Sequence, residues 1–129
     1  MEKTVRVPGS CGELVQGYLN NNNFLVNEAY QLIKRGISNN DNKLIGKGAT
    51  LSSIANQKII NKPGLIELIN LLKSQNGFLG VNTAHSGTVI GIMIENEKLS
   101  TEIIKKIRNN FPTLNYLFKT RIINGRYII

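Results

Sequence analysis

Two polar turns contain the residues whose types could do chemistry. Residues 80–91 place glycines, hydroxyl side chains and the only histidine, His85, between two apolar runs. Such a loop presents backbone N–H groups and hydroxyls to a small ligand, and an anionic group is the natural fit. The alternative is a plain hairpin turn in which His85 is a solvated bystander. The second turn, residues 8–13, carries Cys11 between two glycines.

The elements that must position these turns follow from the hydrophobic pattern. Alternating or short apolar runs predict strands, and apolar residues at helical spacing predict helices. The order is that of an α+β protein. The predicted strands are residues 4–7, 14–19, 24–26, 78–81, 89–94, 116–123 and 126–129, and the predicted helices are about 27–35, 42–60, 63–75 and 100–111.

The second predicted helix contains an apolar stripe, which we expect to be its buried face. Gly46 and Gly48 either weaken its first turns or let another backbone come close. In the last strand pair, Asn124-Gly125 predicts a hairpin turn that joins residues 116–123 to residues 126–129. The stripe consists of Leu44, Ile45, Leu51, Ile54, Ala55 and Ile59.

Composition narrows the class of protein. The chain has 129 residues, enough for one modest domain, and no apolar run approaches the roughly 20 residues that cross a bilayer. Its N-terminus lacks the apolar core of a signal peptide, and its single cysteine cannot form an internal disulfide. We therefore expect a cytoplasmic protein that does not bind a membrane.

The formal net charge of +8 raises the question of a polyanionic partner. The basic residues are spread along the chain, and no zinc-finger spacing or aromatic RNA-binding cluster accompanies them. We read the charge as a mild bias toward anionic ligands, nucleotides included. Nucleic-acid binding remains a third hypothesis, which predicts strongly salt-dependent affinity with little sequence preference.

Several separated segments resemble one family. Residues 7–17, Val-Pro-Gly-Ser-Cys-Gly-Glu-Leu-Val-Gln-Gly, resemble the first motif of the GHMP kinases, in the form found in the L-threonine kinases of cobalamin biosynthesis. Residues 84–88, Ala-His-Ser-Gly-Thr, resemble the third, glycine-rich motif of the same subgroup. Residues 49–57 and Lys62-Pro63 resemble the stretch that leads into it. The resemblance covers nearly the whole chain.

The resemblance implies a fold and a domain division. Residues 27–129 would form the ferredoxin-like α+β C-terminal domain of a GHMP kinase, and residues 1–26 would be a remnant β-hairpin of the N-terminal domain. The family's second motif, a phosphate-binding loop, is not recognisable between the first and the third, so we expect an internal deletion near Asn27. In a competing interpretation, residues 47–55, Lys-Gly-Ala-Thr-Leu-Ser-Ser-Ile-Ala, are that loop and the kinase is compact and complete.

The resemblance also implies an activity, the ATP- and Mg²⁺-dependent phosphorylation of the L-threonine hydroxyl. Glu13 would meet an ammonium group, His85 would donate to a carboxylate or phosphate oxygen, and Cys11 would be a packing residue. We assign no catalytic base and no metal ligand. The expected substrate-binding residues are Ser10, Cys11, Gly12, Glu13, His85, Ser86, Gly87 and Thr88.

Because the second motif is missing, we expect weak activity or none. The alternative is a non-catalytic α+β module that binds a small ligand or a partner chain. Strands in residues 5–26 that lack their own domain would either join the remaining sheet or expose an edge, and an exposed edge favours a homodimer.

Overall fold

The structure is a computed structural model that describes residues 5–6, 24–83, 89–120 and 127–128. Its elements form a run of three helices, a pair of adjacent strands and a fourth helix, with a short strand near each end, and this segregated order confirms the predicted α+β class. In chain order they are β1 (Val5–Arg6), α1 (Phe24–Ser38), α2 (Asn42–Asn56), α3 (Leu65–Leu72), β2 (Phe78–Thr83), β3 (Ile90–Ile94), a 3₁₀ turn (Glu97–Leu99), α4 (Ser100–Asn110) and β4 (Tyr127–Ile128).

Helix α1 is longer at both ends than the sequence predicts. Residues 24–26 are its first three residues, so the predicted strand there is wrong. A three-residue apolar run has no period that separates strand from helix, and the helix that follows decides its conformation. The helical spacing of Ala29, Leu32 and Ile33 predicts that they share one inward face, and the structure confirms it, because all three are buried. Gly36 lies inside the helix rather than ending it.

Helix α2 begins at a side-chain cap and ends earlier than predicted. The Asp41 carboxylate accepts hydrogen bonds from the N–H groups of Lys43 and Leu44, at 2.9 and 3.2 Å. These bonds satisfy two of the first N–H groups, which have no partner within a helix. The helix ends at Asn56, so the predicted extension to Ile60 is wrong.

Of the apolar stripe predicted for α2, only Ala55 is fully buried. Leu44, Ile45, Leu51 and Ile54 are only partly buried, and Ile59 is 52% exposed. The helix contacts α1 on one side and β2 on the other, where only small side chains fit between the backbones. Its buried residues are Gly46, Gly48, Ala49, Ser52, Ser53, Ala55 and Asn56.

The second packing region joins α3 and α4. Leu68 and Leu72 pack there with Ile103 and Ile107. The helical pattern predicts Ile103, Ile104 and Ile107 to face inward; Ile103 and Ile107 are buried, and Ile104 is partly buried. Partly buried side chains of α3, β2, β3 and the segment after α4 complete this cluster: Leu71, Phe78, Ile90, Ile92, Ile94, Phe111 and Leu117.

Strands β2 and β3 form an antiparallel hairpin, as predicted. Thr83 pairs with Ile90 and Val81 with Ile92, and the register shifts between Phe78 and Gly80. The described strands form two separate two-stranded sheets, β1–β4 and β2–β3.

The prediction for the C-terminal strands needs correction. Residues 116–120 are not a strand, and Tyr116 and Phe118 are 86% and 75% exposed. Strand β4 pairs with β1 instead, with Val5 opposite Ile128. An alternating sequence forms a strand only where a partner strand takes its backbone hydrogen bonds. For β4 that partner is β1, from the other end of the chain. The predicted turn at residues 124–125 and the predicted strand at residues 14–19 lie outside the described residues.

Candidate functional site at the end of strand β2

The structure describes the framework of the predicted site rather than the site residues. Ser10, Cys11, Gly12, Glu13, His85, Ser86, Gly87 and Thr88 all lie outside the described residues. Strand β2 ends at Thr83, just before residue 84, and Thr83 pairs with Ile90 of β3. The two strand ends that flank residues 84–88 in the sequence therefore lie side by side.

Helix α2 covers the outer edge of β2 with hydroxyl groups. The Thr50 hydroxyl accepts a hydrogen bond from the Val81 N–H at 3.0 Å and donates to the Gly46 carbonyl at 2.8 Å. In an antiparallel pair, alternate residues direct their N–H and C=O groups away from the partner strand. Thr50 thus gives an acceptor to an edge N–H that β3 does not reach, and the strand edge is covered.

Two further hydroxyls continue this arrangement to the end of the strand. Ser53 Oγ donates to the Ala49 carbonyl at 3.0 Å, with the Val81 carbonyl at 3.5 Å as a longer second acceptor. Thr83 Oγ1 donates to Ser53 Oγ at 3.5 Å. We call Thr50, Ser53 and Thr83 the hydroxyl cluster; it holds the last residues of β2 against α2.

The backbones of α2 and β2 lie close together, and this brings the Thr50 and Ser53 hydroxyls within hydrogen-bond distance of the strand. A β-carbon at Gly80 would overlap the carbonyl oxygen of Gly46, and one at Gly46 would overlap the carbonyl oxygen of Leu79. Only glycine fits at these two positions without a backbone shift. Of the two expectations for Gly46, the structure confirms the close approach of another backbone.

The same geometry contradicts the interpretation of residues 47–55 as a phosphate-binding loop. These residues lie within α2, whose N-cap is Asp41. A phosphate loop binds its ligand through N–H groups that are free at a helix N-terminus, whereas N–H groups inside a helix bond to carbonyls of the preceding turn. Ser52 and Ser53 are buried, at 2% and 4% exposure, and Ser53 is bonded toward β2.

Buried polar side chains concentrate at this end of the molecule. Of the six buried polar or charged residues in the described part of the chain, only Ser100 lies in α4. The other five are in the C-terminal half of α2, the turn after it or the end of β2: Ser52, Ser53, Asn56, Lys62 and Thr83. None of these five is among the expected substrate-binding residues, and Ser52 and Ser53 entered only through the competing interpretation of residues 47–55 as a phosphate loop. Polar residues at positions 52, 53 and 56 share one helical face, and that spacing was the available signal.

The turn after α2 is held by one side chain. The Gln57 carboxamide accepts from the Lys62 N–H at 2.7 Å and donates to the Lys62 carbonyl at 3.1 Å. Its nitrogen is also 3.3 Å from Asn61 Oδ1. These contacts fix the backbone of Lys62, which is 8% exposed, next to the C-terminal end of α2.

The described residues contain neither a cluster of metal-binding side chains nor a membrane-spanning helix. Among residues 24–83 and 89–120, no group of three or more His, Cys, Asp or Glu side chains could hold a metal ion. No helix in the described part of the chain is both long enough and apolar enough to cross a bilayer.

Comparisons with known proteins agree with the resemblance drawn from the motifs. The chain is 34% identical over 71 residues to an L-threonine kinase of Salmonella typhimurium, which is 55% of this chain and 23% of that protein. It is 41% identical over 69 residues to an L-threonine kinase of Citrobacter freundii, which is 54% of this chain and 23% of that protein. The matched segment thus spans about a quarter of these curated relatives, and no solved structure matches significantly.

The family itself is established by a longer match. Residues 29–113, more than half of the chain, match the family described as GHMP kinases C terminal. This range begins in α1 and ends just after α4, so it contains the helices, the β2–β3 hairpin and the hydroxyl cluster. The chain therefore belongs to the GHMP kinases, as a member of their C-terminal domain family.

Proposed function

We propose that this chain is an L-threonine kinase-like protein that binds L-threonine and a nucleotide. The observation that carries the proposal is the family match over residues 29–113, joined to the name that both curated relatives share. The rigid support of β2 by the hydroxyl cluster is consistent with it, because a ligand loop needs a fixed base. The reaction would form O-phospho-L-threonine, a precursor in cobalamin biosynthesis.

The proposed roles follow the two motifs. Residues 10–13 surround the amino acid, with Glu13 opposite its ammonium group. Residues 85–88 border the same cleft, and His85 donates to a carboxylate or phosphate oxygen. Kinase catalysis is largely positioning and electrostatic stabilisation, so a site of this kind needs no covalent intermediate and no nucleophilic Cys11.

We propose ATP and Mg²⁺ only because the chain belongs to this kinase family. The described residues contain no carboxylate cluster that would hold Mg²⁺, and the helix at residues 47–55 is not a phosphate loop. We therefore derive no step through the metal. The internal deletion proposed near residue 27 would account for the missing phosphate loop, because the second motif would supply the main phosphate contacts.

An ADP-release assay with L-threonine and Mg-ATP, joined to calorimetric titration of L-threonine, tests the proposal. We expect turnover at or near background, because the chain lacks the second motif, together with measurable binding of L-threonine or O-phospho-L-threonine. Robust turnover would contradict the shortened-kinase interpretation. Failure to bind either compound would contradict the threonine-binding function.

Exposed aromatic residues favour one other candidate, a non-catalytic module that binds a partner chain. Phe24, Tyr116 and Phe118 are 77%, 86% and 75% exposed. A contiguous patch of such side chains would mark an interaction surface. Light scattering distinguishes this candidate, because a homodimer doubles the mass measured in solution. A monomer that binds L-threonine would favour the kinase-like function.

A further inference from the structure

Asn56 has a buried side chain for which the described residues provide no hydrogen-bond partner. It is the last residue of α2 and is 4% exposed. Its backbone carbonyl accepts from the N–H groups of Ile59 and Ile60, at 3.0 and 2.9 Å. Its carboxamide makes no hydrogen bond to any residue in the part of the chain that the structure describes. Burial of an unpaired amide is unfavourable for folding, so such a group calls for an explanation.

The position of Asn56 follows from the way in which α2 lies along β2. Gly46 lies against Leu79 and Gly80, Thr50 bonds to Val81, and Ser53 accepts from Thr83. The helix and the strand therefore run in the same direction. Asn56 is three residues beyond Ser53, which is about 4.5 Å farther along the helix axis.

Asn56 also shares a helical face with the hydroxyl cluster. Residues three and four positions apart are neighbours on a helix surface, so Asn56 lies next to Ser52 and Ser53. Because that face contacts β2, Asn56 lies about one helical turn past Thr83, where the described strand has ended. Its carboxamide is thus a polar group at the end of the hydroxyl cluster rather than within it.

We infer that the Asn56 carboxamide binds the polar headgroup of the ligand at this end of the hydroxyl cluster. A carboxamide has one accepting oxygen and two N–H donors, so it can pair with a positive donor and a negative acceptor at once. A zwitterionic α-amino acid presents both groups. This inference rests on the proposed function, and it names the ligand class as a small hydroxy amino acid or its O-phosphorylated form.

The test uses the full 129-residue chain and the variant Asn56→Leu, which keeps the branched shape but removes the polar atoms. Calorimetric titration measures the affinity for L-threonine and O-phospho-L-threonine, and thermal unfolding without ligand measures stability. We expect affinity to fall about tenfold or more, as loss of a hydrogen bond to a charged group implies. We expect the unfolding temperature to stay the same or rise, because the amide that is removed has no hydrogen-bond partner among the described residues.

Two further variants make the result specific. Asn109→Leu introduces the same side chain at an exposed position of α4 and should change neither the affinity nor the unfolding temperature. Asn56→Asp keeps the shape but replaces the donors by a negative charge. It should weaken binding of O-phospho-L-threonine more than that of L-threonine, and it provides a second route if Asn56→Leu does not fold.

The outcomes separate this inference from the proposed function. Unchanged affinity in Asn56→Leu, with a wild-type chain that binds, overturns the inference and leaves the function intact. A lower unfolding temperature also overturns it, because the carboxamide would then be structural. If the wild-type chain binds neither compound, the proposed function fails. In that case the inferred ligand class is overturned with it, whatever the unfolding temperature of Asn56→Leu.

Discussion

Two regions pack against the β2–β3 hairpin, and they are built from different kinds of residue. Where α2 meets α1 and β2, the buried residues that α2 contributes are glycine, alanine, serine and asparagine. Where α3 meets α4, they are leucine and isoleucine, with Leu72 and Ile107 at 0% and 2% exposure. The first region brings backbones together, and the second fills the space between helices with large side chains.

The difference indicates which substitutions each region should tolerate. In the α3–α4 cluster, stability comes from apolar volume removed from water, and the region should tolerate swaps that conserve volume. In the α2–β2 contact, backbone carbonyls occupy the place of any added side chain, and hydroxyls replace strand hydrogen bonds. That region should tolerate neither an added methyl group nor the loss of a hydroxyl.

The largest expected effect comes from removing volume in the α3–α4 cluster. Leu72→Ala should lower the free energy of unfolding by about 2–5 kcal/mol, since Leu72 is fully buried and its neighbours can collapse only partly. Urea denaturation followed by circular dichroism measures the change. Leu72→Met, which keeps the volume, should cost less than about 1.5 kcal/mol. Equal effects of the two variants would contradict control by volume.

Adding a methyl group in the α2–β2 contact should have a similar, somewhat smaller effect. Gly80→Ala places a β-carbon on the Gly46 carbonyl, a backbone group that cannot rotate away. We expect the free energy of unfolding to fall by about 2–3 kcal/mol, the upper part of the range for overpacking. The same urea titration measures it. Val89→Ala, at an exposed position next to β3, is the control and should change stability by no more than about 0.5 kcal/mol.

The smallest of the three effects concerns one hydroxyl. Thr50→Val leaves the Val81 N–H without its acceptor and should cost about 1–2 kcal/mol. Amide hydrogen exchange gives a local measurement: the Val81 N–H should exchange faster in Thr50→Val and remain protected in Thr50→Ser, which keeps the hydroxyl. Equal protection in both variants would show that the hydroxyl does not hold the strand edge.

The sequence predicted the α3–α4 region better than the α2–β2 region. Ile103 and Ile107 recur at helical spacing, and such a periodic apolar stripe is the primary sequence signal of a helix with one buried face. In α2, the apolar residues have the same spacing but lie mostly on partly exposed positions. The buried face consists of residues that hydrophobicity does not mark, because close backbone approach selects for small size rather than for apolar character.

The candidate site shows the same division. The two motifs and the family follow from residue identities, and the family match over residues 29–113 confirms the family. Asn56 was not predicted as a site residue, and Ser53 was considered only in the phosphate-loop interpretation of residues 47–55, which the structure contradicts. Nothing local distinguishes them from other polar residues of a helix; they became candidates only when α2 was found to run along β2 and past its end.

The sequence by itself determined the α+β class, the two strands of the hairpin, the helices α3 and α4 and membership of the kinase family, because period and motif are local properties of a chain. Only the tertiary structure decided that residues 24–26 extend a helix, that β4 pairs with β1, and that residues 47–55 are helix rather than phosphate loop. Those outcomes depend on which backbone comes close to which. Pairing of that kind is a property of the whole fold, and no window of residues contains it.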